Sequence, residues 1–449
     1  IAQLAKTLGA DTADPWARFA PASEPGQLCA QTARRLRRDP VPAAAPPEVP
    51  TDFGRTPSGT MTTQAALGRV LLDLTRSAPE AARRVVTVSP DVSLSTNLAG
   101  WVNKVGVWSV ADRRDWFADD AETIVHWRER PAGQHIELGI AETNLAGLLG
   151  ELGATWSRWG QPLLPIGVLY DPFVGRTLEP WSFGIYAGGQ SILVGTPSGV
   201  SLAPEGGAHQ SVITPSIGLE QPGCVSYEPA FAIDAEWTLL ASLGLLGRPG
   251  GSSAYLRLST RPVDQTLAAV PADPAARERR RRQVVAGGYA LRRGGAAGNG
   301  PDVTIAAMGV MVVEALAAVE RLSAAGISAD VVCVTSPGLL FRALRARQDA
   351  GAGGAGGAGG TGGTGGTGGT GGPAWILDQI FPADRAAPMV TVLDGHPHTL
   401  AFLATVNRVP SVPLGVTGFG QSGTIEDVYR YHGIDTGSIV RAALDAVKA

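Results

Sequence analysis

Cysteine is scarce in this chain. Its three copies, Cys29, Cys224 and Cys333, lie far apart and never in CxxC spacing. Nothing here reads as a disulfide framework, and a sparse, odd count fits a reducing, cytoplasmic setting. Cys224 and Cys333 sit in apolar runs and are expected to be buried small hydrophobes. No apolar run reaches spanning length and no signal peptide is visible, so no membrane span is expected. Charge of one sign is also lacking. The formal net charge is −3, which argues for neither nucleic acid nor an anionic membrane as partner. The local exception, Glu278-Arg279-Arg280-Arg281-Arg282-Gln283, is expected to be a solvated interdomain segment. What remains is a 449-residue chain, 44% hydrophobic and 17% charged, with 59 Gly and 33 Pro. That suits an α/β enzyme of two or three domains with many tight loops. The chain begins with Ile rather than Met, which points to a fragment or a processed product.

Residues 1–59 read as a helical lead-in followed by a linker, because the proline-rich run 40–47 holds neither helix nor central strand. Residues 60–270 read as the first domain. It opens with an amphipathic helix from Met61, capped by Thr62 or Thr63. Apolar strands are expected at 85–89, 163–168, 191–195 and 254–258, with helices at 141–153 and 233–246. Residues 271–300, rich in Pro, Ala and charge, read as a linker. Residues 301–449 form a second unit, with strands at 303–307, 331–334 and 389–393, a helix at 312–324 and a last helix from Thr424. Short apolar strands alternating with helices imply an α/β fold of two consecutive domains, each a mainly parallel sheet flanked by helices. The near-pure glycine tract at 350–372 is expected to be a disordered surface insertion. Its formal GxGxxG match is rejected, since it follows no strand.

Five local patterns carry chemistry. Gly133-Gln134-His135-Ile136-Glu137-Leu138-Gly139-Ile140-Ala141-Glu142 places a carboxyl group among Ile140, Leu145 and Leu148, where it would be hard to ionise. Ser89-Pro90-Asp91-Val92-Ser93-Leu94-Ser95 is a polar turn at a strand end. Tyr170-Asp171-Pro172-Phe173-Val174-Gly175-Arg176 offers two aromatic faces, the alternative being ordinary core aromatics. Glu205-Gly206-Gly207-Ala208-His209-Gln210 puts a histidine in a loop whose glycines let backbone approach a ligand. Arg261 follows a strand and could bind phosphate or carboxylate, or lie on the surface before Pro262. His396-Pro397-His398 supplies only two potential ligands and reads as a turn, so no metal site is expected within the chain.

Together these runs resemble the thiamine diphosphate-dependent transketolase-like superfamily, and most closely the homodimeric type of pyruvate dehydrogenase first component. The resemblance spans about residues 60–449. It includes Asn103–Ser109, Cys224–Ala230 and the C-terminal run Gly415–Gly423. It implies a pyrimidine-binding domain followed by a transketolase-type C-terminal domain. It also implies that Glu142 activates the cofactor by a hydrogen bond to its pyrimidine ring. Tyr170 and Phe173 would wall that ring, and the Asp91 turn would face it. Ser95, His209 and Arg261 would meet the substrate. The expected reaction is oxidative decarboxylation of a 2-oxo acid, pyruvate first, with acyl transfer to a lipoyl-bearing acyltransferase. The rivals are ketol transfer between sugar phosphates and a non-catalytic dimerisation module. Two departures stand out. Val92 replaces the acidic residue that the pyruvate enzymes carry after the aspartate. The Gly-Asp-Gly element that binds Mg2+ and diphosphate is also lacking. The resemblance therefore implies a homodimer, or assembly with a diphosphate-binding domain that would carry the Mg2+ ligands.

Overall fold

A computed structural model describes residues 3, 6–7, 18–37, 42, 44–116, 118–120, 122–295, 300–351 and 374–448. They fall into two compact units, Ile1–Pro42 and Ala43–Ala449. The first holds the helix Glu24–Leu36, whose cap Ser23 accepts from Gly26 N–H at 3.2 Å. The second holds two sheets.

The larger sheet has eight strands, all parallel, in the order Glu129–Arg130, Val107–Trp108, His135–Glu137, Val85–Ser89, Leu164–Leu169, Ile192–Gly195, Ser253–Arg257, Cys224–Tyr227. Its long central strands are buried on both faces. Their sequences are accordingly continuous apolar runs rather than alternating ones. Helix Thr63–Ser77 covers one side, and Thr62 caps it by accepting from Ala65 N–H at 2.9 Å. Helices Glu142–Gly153 and Leu178–Tyr186 pack on each other. Their approach is close enough that a Cβ on Gly150 would lie 3.1 Å from Gly184 Cα.

The second sheet runs Gly288–Arg292, Ala329–Val334, Val303–Met308, Met389–Val392, Ser411–Leu414. Only the first of these is antiparallel to its neighbour. A single apolar core joins the two layers, with Val200, Phe231 and Trp237 from one side and Val303, Ile305 and Val331 from the other.

The structure departs from the sequence reading in the 271–300 segment. That stretch contains the helix Pro274–Ala286, capped by Asp273, and the edge strand Gly288–Arg292. Residues 296–299 lie outside the described residues. The arginine run within it is not simply solvated. The guanidinium of Arg280 lies 4.2 Å from the Tyr289 ring centroid and that of Arg282 5.8 Å from the Trp375 ring. Just upstream, Arg277 forks onto Asp52 at 2.7 and 2.9 Å. Arginine stems cover apolar surface and their planar heads stack on rings, so a run of charge can serve as packing. Helix Pro337–Gly351 enters the glycine tract, and the rest of the 350–372 insertion lies outside the described residues. Cys29 is exposed, whereas Cys224 and Cys333 are buried thiols. Among the described residues, no helix is long and apolar enough to cross a membrane.

Candidate functional site

Ligands of open parallel sheets gather at the carboxyl ends of the strands, and the residues singled out by sequence lie on the segments that follow those ends. Strand Val85–Ser89 leads into the Asp91 turn, and strand Leu164–Leu169 runs straight into Tyr170 and Phe173. Beyond strand Ile192–Gly195, the chain returns in the His209 loop.

Glu142 is the first residue of helix Glu142–Gly153 and is 7% exposed. Leu145 is buried beneath it, but Ile140 is 82% exposed. The apolar nest expected around the carboxyl group is therefore one-sided. The other side is taken by Arg176, whose Nη1 lies 3.4 Å from Glu142 Oε1. The same guanidinium sits 4.5 Å from the Phe173 ring centroid. Tyr170 and Phe173 are stacked nearly parallel, 9° apart at 6.2 Å between centroids. His209 meets both edge-on, at 5.8 and 5.9 Å. Thus Glu142, Tyr170, Phe173 and His209 form one cluster, with Arg176 as a member to which the sequence reading gave no role.

The His209 loop is held from the second domain. Gly206 adopts φ +80°. A Cβ on Gly207 would lie 2.6 Å from the Gly420 carbonyl oxygen. Gln210 Nε2 donates to the carbonyls of Leu202 and Gln421 at 3.1 and 2.9 Å, and Ser422 Oγ donates to Pro204 O at 3.0 Å. The run Gly415–Gly423, quoted from sequence only as a family match, is what clamps this loop. His209 Nδ1 is 3.8 Å from Glu205 Oε2.

Asp91 and Ser95 occupy the neighbouring turn. Asp91 has φ +69°, and its N–H donates to Glu137 Oε1 at 2.6 Å. Ser95 Oγ donates to Val92 O at 3.2 Å. Arg261 is engaged elsewhere. It pairs with Glu314 at 2.7 Å and lies over Tyr429, tying the two domains together. His396 and His398 approach to 2.7 Å between Nδ1 atoms, on the turn after Asp394. Among the described residues no group of three or more His, Cys, Asp or Glu is placed to hold a metal.

Sequence reading missed a buried polar hub behind the cluster. Asp171, fully buried, accepts from Thr214 Oγ1 at 2.6 Å, from Arg257 Nε at 3.1 Å, and from the hydroxyls of Ser211 and Tyr255. Arg257, 2% exposed, also pairs with Glu228 and donates to Asp394 O at 3.2 Å. Burial pushes the Glu228 carboxyl up to about 7, against the opposing pull of Arg257. The Asp394 carboxylate accepts from Val200 N–H at 2.7 Å and from Ser201 N–H at 2.9 Å. The available signal was Arg257 itself. A charged residue inside a buried apolar strand has to be paired.

The sequence and fold match a known class. Residues 50–245 match the pyruvate dehydrogenase E1 component middle domain, and residues 287–435 match the transketolase-like C-terminal domain. The chain belongs to the thiamine diphosphate-dependent transketolase-like superfamily. Within it, the chain is similar to the pyruvate dehydrogenase E1 component of Mycolicibacterium smegmatis, with 25% identity over 369 residues, covering 81% of this chain and 37% of that protein. It is also similar to the 6-deoxy-6-sulfo-D-fructose transketolase subunit SqwH of a Clostridium species. Identity there is 30% over 216 residues, covering 48% of this chain and 59% of the subunit. The fold matches that of transketolase from Leishmania mexicana with a TM-score of 0.65 at 16% identity, over 95% of this chain and 50% of that one. The chain spans between about a fifth and three fifths of the length of the curated relatives it matches.

Proposed function

We propose that this chain supplies the pyrimidine-side half of a thiamine diphosphate site used in decarboxylating a 2-oxo acid, pyruvate first, with acyl transfer to a lipoyl-bearing partner. The observation that carries the reading is the Arg176 guanidinium. A flat, hydrogen-bonding group already lies on the Phe173 face and reaches the Glu142 carboxylate. A flat aminopyrimidine needs the same two contacts, so the residues fit the cofactor. When bound, thiamine diphosphate supplies an electron sink for cleaving a bond to a carbonyl carbon. Glu142 holds a proton at the ring nitrogen through Oε1. Tyr170 and Phe173 keep water from the ring, the Asp91 turn borders the cofactor, and Ser95 and His209 serve the substrate. Mg2+ and diphosphate fall to a diphosphate-binding domain, in a homodimer or a mixed assembly, in the cytoplasm.

Ketol transfer between sugar phosphates is the second reading, favoured by the similarity to a protein named as a transketolase subunit. It needs an anion-binding group, and Arg261, the sequence candidate, is paired with Glu314. Pyruvate also carries an anionic group, so this pairing bears on both readings alike and the substrate assays separate them. The test is calorimetric titration of thiamine diphosphate and Mg2+ into this chain, alone and with a diphosphate-binding domain, followed by assays with pyruvate and with a ketose phosphate. Binding only in the assembly, with turnover of pyruvate, is expected. Turnover of the ketose phosphate alone selects the second reading. No binding in either form removes both.

A further inference from the structure

The Asp91 turn ends a hydrogen-bond chain that starts deep in the core. Trp101 Nε1 can only donate, and it donates to Thr87 Oγ1 at 3.0 Å. Thr87 Oγ1 also lies 2.8 Å from His135 Nδ1. On the far side of the ring, Nε2 faces Glu137 Oε2 at 3.2 Å. Because the Glu137 carboxylate can only accept, the ring proton belongs on Nε2 and Thr87 donates to Nδ1. The remaining oxygen, Glu137 Oε1, accepts the N–H of Asp91 at 2.6 Å. Every donor and acceptor in the series is thus assigned by its neighbour.

Strand register builds this chain. Thr87 pairs with His135 and Ser89 with Glu137 in the parallel ladder. Residues two apart share a face, so His135 and Glu137 stand in line. Thr87 and His135 are wholly buried, the Trp127 ring meets His135 edge-on at 6.2 Å, and only the Glu137 side chain reaches the edge, 13% exposed. The turn needs a tether, because Asp91 holds φ +69°, a conformation that costs a non-glycine residue energy. Its neighbour Val92 has no polar side chain with which to supply one.

We infer that Thr87, His135 and Glu137 form a positioning relay that fixes the Asp91–Ser95 turn beside the site, with Glu137 as the residue that holds it. The role in turnover rests on the function proposed above, whereas the relay itself does not. Three readings test it on the full chain. Histidine 15N spectra should show His135 as the Nε2–H tautomer. Glu137→Ala should speed exchange of the Asp91 amide by about tenfold or more, as expected for loss of a charge-assisted hydrogen bond. Glu137→Gln, which keeps an acceptor oxygen, should restore most of the protection. In the assembled enzyme with pyruvate, Glu137→Ala should raise KM more than it lowers kcat, and Glu137→Gln should reverse that. An Nδ1–H tautomer, or unchanged Asp91 exchange in Glu137→Ala, overturns the relay. Intact tautomer and exchange effects without the KM change overturn its role in turnover. The first two readings need no cofactor and stand apart from the thiamine assignment.

Discussion

Arg176 Nη1 lies 3.4 Å from Glu142 Oε1, and the same guanidinium covers the Phe173 ring at 4.5 Å. One side chain thus occupies both the acidic and the aromatic elements of the site. Arg176 is about half exposed, so the pair contributes little to stability, on the order of 1 kcal/mol or less. Its weakness matters for function, because a ligand can displace the guanidinium at small cost.

Glu142 should therefore be dispensable for folding and indispensable for turnover. Glu142→Ala is expected to shift the melting temperature by only a few degrees, about what a 1–2 kcal/mol change does. Turnover of pyruvate by the assembled enzyme should fall about 10²- to 10⁴-fold, the usual contribution of a proton-holding group. Normal turnover would sink the assignment.

Arg257 is the opposite case. It is 2% exposed and neutralises Asp171 and Glu228, both buried. Truncation leaves those carboxylates without their cation, which typically costs about 3–5 kcal/mol. Urea unfolding of Arg257→Met should show a loss of that order. Adding Glu228→Gln should recover part of it, since one stranded carboxylate is then gone.

Three buried carboxyls are expected to make stability fall as pH rises towards neutrality. Burial pushes Glu236 from 4.5 up to about 7, Glu228 up to about 7 and Asp234 up to about 6. Below about pH 4.5, Glu236 is protonated in both the folded and the unfolded chain. Between there and pH 7 the unfolded chain has released a proton that the folded chain keeps, so folding loses stability across that window. Glu236→Gln removes this contribution. The stability of the variant relative to the wild type should therefore grow by about 1–3 kcal/mol from pH 4.5 to 7 in urea titrations. A difference flat with pH would refute the assignment.

Gly207 faces the backbone of the C-terminal domain, where a Cβ would meet Gly420 O at 2.6 Å. Gly207→Ala must push the His209 loop away from Gly415–Gly423. We expect a destabilisation of about 1–3 kcal/mol, read by thermal unfolding, and a changed His209 ring environment by NMR. Unchanged His209 resonances would show that the second domain does not set the loop's position.

Much of this molecule was written locally. The apolar runs read as strands at 85–89, 303–307 and 331–334 lie within strands Val85–Ser89, Val303–Met308 and Ala329–Val334, and helix Val312–Ala324 has the predicted limits, because period and burial agree there. Thr62 and Thr424 cap their helices as short side chains at helix starts do. The residues that carry the cofactor resemblance, Glu142, Tyr170, Phe173 and His209, were also legible, since each stands in a short run of its own. Their convergence was not. Tyr170 and Phe173 meet His209 only because the strands leading to them are ladder neighbours. Arg257 reaches Asp171, 86 residues away, only across the sheet, and Arg261 reaches Glu314 only across the two domains. The arginine run at 279–282 looked like solvated charge until the ring of Tyr289, on the next strand, and that of Trp375, distant in the chain, came to lie against it. Propensity and periodicity are properties of neighbouring residues and determine the elements. Which carboxylate finds which cation is a property of the packed whole, where burial makes an unpaired charge too costly to leave.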